Sequence, residues 1–332
     1  MTRENPLALN SILKMFTQNM KTKTFLSFCL LMFIVVGGSV ACGSQPEATA
    51  TLPPGYTIGP TNLCQATPQF VGGLNFEQPV IDTTQELAIG LLVTDLADNS
   101  RIYQHETWDD AGKVGAFAID WLGNIFVAPA AVISQELNPV EEQNKVYRAD
   151  TRTAEMAVFL DLPWPLPPAG SNPYGVLGLA YDCETGSLYV ASVAGSTAQE
   201  EVGVIYQVNG DTGEILSQLD NTDAIGVGVF NSGTGKRLYY GTGRVPEVYS
   251  VALDERGRMT GEPRLEFSLA AQPGGSDVKA QRIQFTVENS LVVKAIEFNY
   301  SLQPTNRIEK NVYTFLYQPE TDTWLFQGIT SQ

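Results

Sequence analysis

One histidine stands in 332 residues, His105, within Tyr103-Gln-His-Glu-Thr-Trp108. Sites that need several imidazoles, such as a three-histidine zinc centre, are closed to this chain. It has no Gly-x-Ser-x-Gly elbow, Cys-x-x-Cys pair or His-Glu-x-x-His segment. Gly233-Thr-Gly235-Lys236 looks like a phosphate cradle, but the glycine framework that should precede it is missing, and it reads as a hairpin turn. The oxygen donors worth weighing are Asp120, Asn124 and Asp182, each at a turn where a carboxylate or amide caps backbone N–H groups. Glu297, Asn299 and Tyr300 form a polar break after an apolar run and read as a solvent-exposed loop. Trp108, Trp121 and Trp164 are the candidate ligand-contact aromatics, placed to stack on a sugar or peptide from a rim. Trp164, inside Leu162-Pro-Trp-Pro-Leu-Pro-Pro168, is held extended by its prolines. No residue is assigned a catalytic or cofactor-binding role.

Charge narrows the partners. Lys and Arg number 20 against 36 Asp and Glu, a net charge of −16. Without Arg3, Glu4, Lys14, Lys21 and Lys23 the balance is 16 against 35. So acidic a body does not seek nucleic acid or anionic lipid. The acidity is read as a solvated surface; Ca²⁺ or another divalent cation is the one cofactor it leaves open, and otherwise none is expected.

Lys21 and Lys23, the apolar run Phe25–Val36 and the small residues Gly37-Gly38-Ser39-Val40-Ala41 have the order of a secretory signal peptide. The run is short of the roughly 20 residues that span a bilayer. Ser39-Val40-Ala41-Cys42 resembles the lipobox of bacterial lipoproteins, with Ser39 where that family usually has Leu. The resemblance implies lipidation of Cys42 as the mature N-terminus and a domain held on the extracytoplasmic side of the cell envelope, with the membrane as a partner. Residues 1–41 are thus read as an N-terminal extension and signal peptide. Residues 42–62, rich in Pro, Thr, Ala and Gly, are read as a disordered tether, and 63–332 as the domain. Cys64 and Cys183 remain in that domain, a disulfide candidate in an oxidising compartment, with two free thiols as the alternative.

Within the domain a Val/Ile-Tyr pair recurs at Val146-Tyr147, Ile205-Tyr206, Val248-Tyr249 and Val312-Tyr313, the tyrosines 59, 43 and 64 residues apart. Each pair opens a hairpin, and Leu91–Asp95 with Arg101–Tyr103 is a degenerate first copy. An inner hairpin precedes each later one: 116–127, 179–190, 227–240 and 281–293. Two hairpins make four strands, and units of about 40–50 residues have the spacing of propeller blades. The chain is therefore read as all-β, a β-propeller of four-stranded blades. Five repeats are visible, and a sixth blade can be assembled from Gln69–Leu74 and Pro79–Ile81 unless these complete other blades.

Asp120-Trp-Leu-Gly-Asn124-Ile-Phe-Val127 resembles the inner-hairpin motif of NHL-type and SMP-30/gluconolactonase-like propellers. With no catalytic constellation in the chain, the reading is a non-catalytic module that binds a protein, glycan or small ligand; the resemblance implies, as the alternative, a divalent-metal-dependent hydrolase or lactonase. None of that family's metal ligands transfers to a position of this chain, because the motif's Asp and Asn build the turn. For the anchor, intact mass of membrane-extracted protein is expected to show acylated Cys42 as the first residue. A mass retaining Met20–Ala41 would contradict it.

Overall fold

A computed structural model describes residues 55–83, 89–130, 136–166, 172–301 and 311–331. The chain divides into Met1–Ala48 and Thr49–Gln332, and every described residue belongs to the second unit. Cys42 and the whole leader lie outside the described residues.

The described strands are, in chain order, β1 (Gly59–Pro60), β2 (Pro79–Asp82), β3 (Leu92–Asp95), β4 (Asp98–Tyr103), β5 (Val114–Ile119), β6 (Ile125–Pro129), β7 (Lys145–Ala149), β8 (Met156–Asp161), β9 (Val176–Asp182) and β10 (Ser187–Ser192). They continue as β11 (Val204–Asn209), β12 (Ile215–Leu219), β13 (Ala224–Ser232), β14 (Gly235–Thr242), β15 (Glu247–Leu253), β16 (Met259–Ser268), β17 (Val278–Phe285), β18 (Ser290–Glu297), β19 (Asn311–Gln318) and β20 (Thr323–Ser331). Every pairing among them is antiparallel, and they form five blades: β2-β3-β4, β5 to β8, β9 to β12, β13 to β16 and β17 to β20. The molecule is a five-bladed β-propeller. Its first blade shows three described strands, and β1 is added to the inner edge of the fourth.

The described residues form no sixth blade, and of the two readings of this region the one that lets it complete another blade holds for Pro79–Asp82. Gln69–Leu74 forms a 3-10 helix, and Pro79–Asp82 pairs with β3 inside the first blade. Two glycines within six residues, Gly72 and Gly73, make the earlier segment a poor strand.

The cores lie between blades. Trp108, Leu91, Ile125 and Tyr147 join the first two; Phe126, Leu160, Tyr181 and Tyr206 join the next pair. Tyr189, Ile205, Leu238 and Val251 join the third and fourth. Phe230 and Tyr239 meet Phe285 and Trp324 of the last, ring centroids 4.9 to 5.8 Å apart. Both faces of a blade are covered this way, which is why strands such as β10 and β13 are buried at every position instead of alternating. Near the axis the packing demands glycine. A Cβ at Gly226 would stand 2.4 Å from the Gln281 carbonyl oxygen, and one at Gly241 would stand 2.2 Å from that of Ala280.

One end of the propeller is crossed by the segment that enters it. Tyr56 donates its hydroxyl to the Ser232 carbonyl, and Gly59-Pro60 pairs with Asn231-Phe230 of the fourth blade. The Thr61 carbonyl accepts from Cys183 N, and Cys64 is disulfide-bonded to Cys183 of the third. Ala66 N donates to Asp120 O and Phe70 N to Thr151 O, both in the second. From Tyr56 onward the segment expected as disordered tether is thus a docked strap. Its amides answer blade carbonyls where no side-chain periodicity announces a strand.

Asp120 shows how the blade turns are held. Its carboxylate, 1 % exposed, accepts from Leu122 N at 2.9 Å, Asn124 N at 2.8 Å and Asn124 Nδ2 at 2.7 Å, while Asn124 Oδ1 accepts from Thr151 N. Replacing Asp120 by Ala orphans three buried donors and is expected to cost about 1–3 kcal/mol in urea denaturation, with no change in oligomeric state. An unchanged midpoint would contradict this account of the turn.

Candidate ligand channel

Along the axis runs a cavity of about 830 Å³, within the usual range of small-molecule sites. Its walls are β5, β9, β13 and β17, with Lys294 and Ile296 from β18. Asn62 and Gln65 of the strap contribute at one end. Three walls are made of small residues such as Gly115, Ala118, Gly178, Ala180, Gly226 and Gly228. The β17 wall differs, presenting Gln281, Arg282 and Gln284. The cavity therefore has one polar, cationic side facing three narrow ones.

Arg282 reaches across the axis, its guanidinium carbon 5.6 Å from the centroid of the Phe117 ring on β5. That is cation–π range. Lys294 is its direct cross-strand neighbour in the β17–β18 register. Burial pushes the Arg282 guanidinium below its ordinary value, and no carboxylate acts to restore it. Among the described residues the lining contains no Asp, Glu, His or Cys. Among the described residues no group of three or more such side chains could hold a metal ion.

A second polar cluster lies at the opposite end of the blades. Asp223, fully buried, accepts from Tyr300 Oη at 2.5 Å, from Ser196 Oγ and from Gly203 N at 3.0 Å. Arg244 Nε stands 2.8 Å from Oδ2, the oxygen that also takes the Tyr300 hydroxyl, and the guanidinium lies 5.3 Å from the Tyr300 ring. Burial, then the hydrogen bond to Asp223, pushes the Tyr300 hydroxyl well above its ordinary value. Three hydrogen bonds and the Arg244 ion pair hold the Asp223 carboxylate, and the cluster clamps the third and fourth blades to the segment after β18.

The residues singled out from sequence are dispersed. Trp108 is a correction: it is fully buried between Phe70 and Tyr103, its Nε1 donating to Ala154 O at 2.7 Å, and no ligand can reach it. Trp121, 54 % exposed, tips the β5–β6 turn at the strap end, and Trp164 is half-buried in the β8–β9 connection. Neither lines the cavity. Asp182 is fully buried, taking Thr185 Oγ1 at 2.7 Å and Lys236 Nζ at 2.9 Å, so Lys236 serves an ion pair and not a phosphate. His105 caps the 3-10 helix Glu106–Ala111 through Thr107 N. Tyr300 is buried, unlike the exposed loop expected there, because its ring packs on Val193 and Ile225.

Sequence reasoning passed over Arg282, Gln281 and Gln284, which read as an ordinary strand. The available signal was a comparison of the inner strands: the other three carry Gly and Ala where β17 carries Gln and Arg.

No family model matches the chain, and no curated protein does. Among solved structures, a nidogen/laminin complex is similar at 10 % identity, covering 73 % of this chain and 90 % of that one, TM-score 0.40. A luciferin-regenerating enzyme is similar at 12 % identity over 73 % and 72 % of the two chains, TM-score 0.41. A Lactobacillus plantarum protein is similar at 10 % identity over 74 % and 64 %, TM-score 0.41. Likeness of this order assigns no activity, ligand or partner.

The strap contributes to the cavity, so its attachment is open to test. Exchanging both Cys64 and Cys183 for Ser is expected to cost about 2–4 kcal/mol in urea denaturation. Amide exchange should rise at Ala66 and Cys183, whose N–H groups bond across the strap. Exchange unchanged at both positions would show that the bridge does not hold the strap.

Proposed function

We propose that this protein is a lipid-anchored, extracytoplasmic propeller that binds a small ligand in its axial channel without transforming it. The observation that carries this is the lining itself: about 830 Å³ walled mostly by Gly, Ala, aliphatic and aromatic residues, with one polar strand and, among the described residues, no carboxylate, imidazole or thiol. Such a surface can enclose and orient a molecule. Its described titratable side chains are Tyr181, Arg282 and Lys294, which form no nucleophile–base pair.

A lactonase of the SMP-30/gluconolactonase-like type is the alternative, and the lining speaks against it. Hard divalent cations are held by carboxylates supplemented by neutral oxygens. Asn62, Gln65, Gln281 and Gln284 supply only neutral oxygens, and Arg282 adds a positive charge that repels a cation. The amides are better suited to hydrogen-bonding an organic ligand.

Anchoring at Cys42 fits the same arrangement. The described chain begins at the strap end, and the 13 residues from Cys42 to Pro54 span at most about 45 Å.

A thermal-shift screen of the full chain against sugars, amino acids, organic acids and nucleotides is expected to return stabilising ligands whose effect disappears in Gln284→Trp, which fills the channel. Lactone and ester panels are expected to show no turnover. Turnover abolished by chelation and by Gln284→Trp would replace binding with hydrolysis as the function.

A further inference from the structure

We propose that the channel recognises a small organic anion, a carboxylate or phosphate held by the Arg282 guanidinium, an inference that rests on the channel-binding reading above. The argument starts from charge accounting. In a chain with 36 acidic residues, cations set into the fold readily find carboxylates. Arg237 has Glu266 at 3.8 Å, Arg244 has Asp223 at 2.8 Å and Arg264 has Asp322 at 2.7 Å. Arg282 has none among the described residues; its one recorded contact is the Phe117 ring.

Its position makes that omission costly. A half-buried guanidinium loses hydration, and an aromatic face returns only part of it. A residue whose only role was to support the fold would be better served by an uncharged side chain of similar length, as the small and aliphatic residues of the other walls show. A planar donor fork opening into a cavity is, in contrast, suited to receive a carboxylate or phosphate through two parallel hydrogen bonds. Gln281 and Gln284 flank it on the same strand, with amide groups for the ligand's remaining polar atoms. Leu179, Val227 and Val229 also line the cavity, so part of its wall is apolar.

The acidic exterior bears on selectivity. A net charge of −16 repels polyanions at long range, so nucleic acids and anionic membranes are turned away. A small anion is screened beyond roughly 8–10 Å of salt solution and meets attraction only inside the channel.

The test uses matched pairs on the full chain: glycerol 3-phosphate against glycerol, and succinate against succinamide. Each is titrated by thermal shift and calorimetry against sodium chloride of equal ionic strength. At least one charged member is expected to stabilise the wild type saturably while its neutral partner does not, which also tells phosphate from carboxylate. Arg282→Gln should weaken that binding about 10- to 100-fold. Without ligand, Arg282→Gln should melt at or above the wild-type temperature, since it removes an uncompensated charge. A melting point lower by several degrees would identify Arg282 as a structural strut on Phe117 and overturn the proposal. Anions no better than chloride, or equally good with Arg282→Gln, would overturn it too. Neutral ligands that bind wild type and Arg282→Gln alike but are lost in Gln284→Trp would remove the anion assignment and leave channel binding standing.

Discussion

Inner strands can approach a common axis only where their side chains nearly vanish, and the rest of this propeller is arranged around that steric limit. Gly226 and Gly241 on the fourth blade sit so close to the β17 backbone that even a methyl group would collide with its carbonyl oxygens. The bulk excluded from the axis is placed between the blades, where Phe230, Tyr239, Phe285 and Trp324 form a continuous aromatic cluster. Small residues at the centre and large ones between the blades are therefore two results of one radial geometry. The cavity is what remains when the inner positions are too small to fill it.

That geometry explains which parts of the fold could be read from sequence. The recurring Val/Ile-Tyr pairs fall on β7, β11, β15 and β19, the third strand of each of the last four blades, where Tyr147, Tyr206 and Tyr313 pack against a neighbouring blade. A position that meets the same packing demand in every blade leaves a repeat, and a repeat is visible without coordinates. The strap meets no repeated demand. Its amides answer particular carbonyls on the second, third and fourth blades, so Tyr56–Asn62 looked like linker. Trp108 misled for a related reason: polar neighbours on both sides suggested a rim, but a 3-10 helix turns only the indole and Ala111 inward.

The channel was illegible on different grounds. Arg282 and its glutamines occupy one strand of a nearly regular repeat, and a single charged residue in a β-strand reads as its solvent face. Only the assembled ring shows that this face looks onto an axis shared with Phe117, two blades away around the circle. What the sequence does contain is the contrast between Gln281-Arg-Ile-Gln284 and the glycine- and alanine-rich inner strands at 115–118, 178–180 and 226–228. That contrast has meaning only after the strands are known to be equivalent.

Carboxylates tell the same story from the other side. Asp120 closes one inner turn, and Asp182 closes the next while holding Lys236. Asp223 ties Tyr300, Ser196 and Arg244 at the far end, and Asp322 takes Tyr317 and Arg264 between the last two blades. Each is committed to backbone amides or to a fixed partner, which ties its oxygens to the fold. Among the described residues, these acidic side chains serve turns and clamps, and none of the axial lining is a carboxylate. On the proposal that the channel binds a small anion, it selects by charge and shape, and the residue that sets its sign is Arg282.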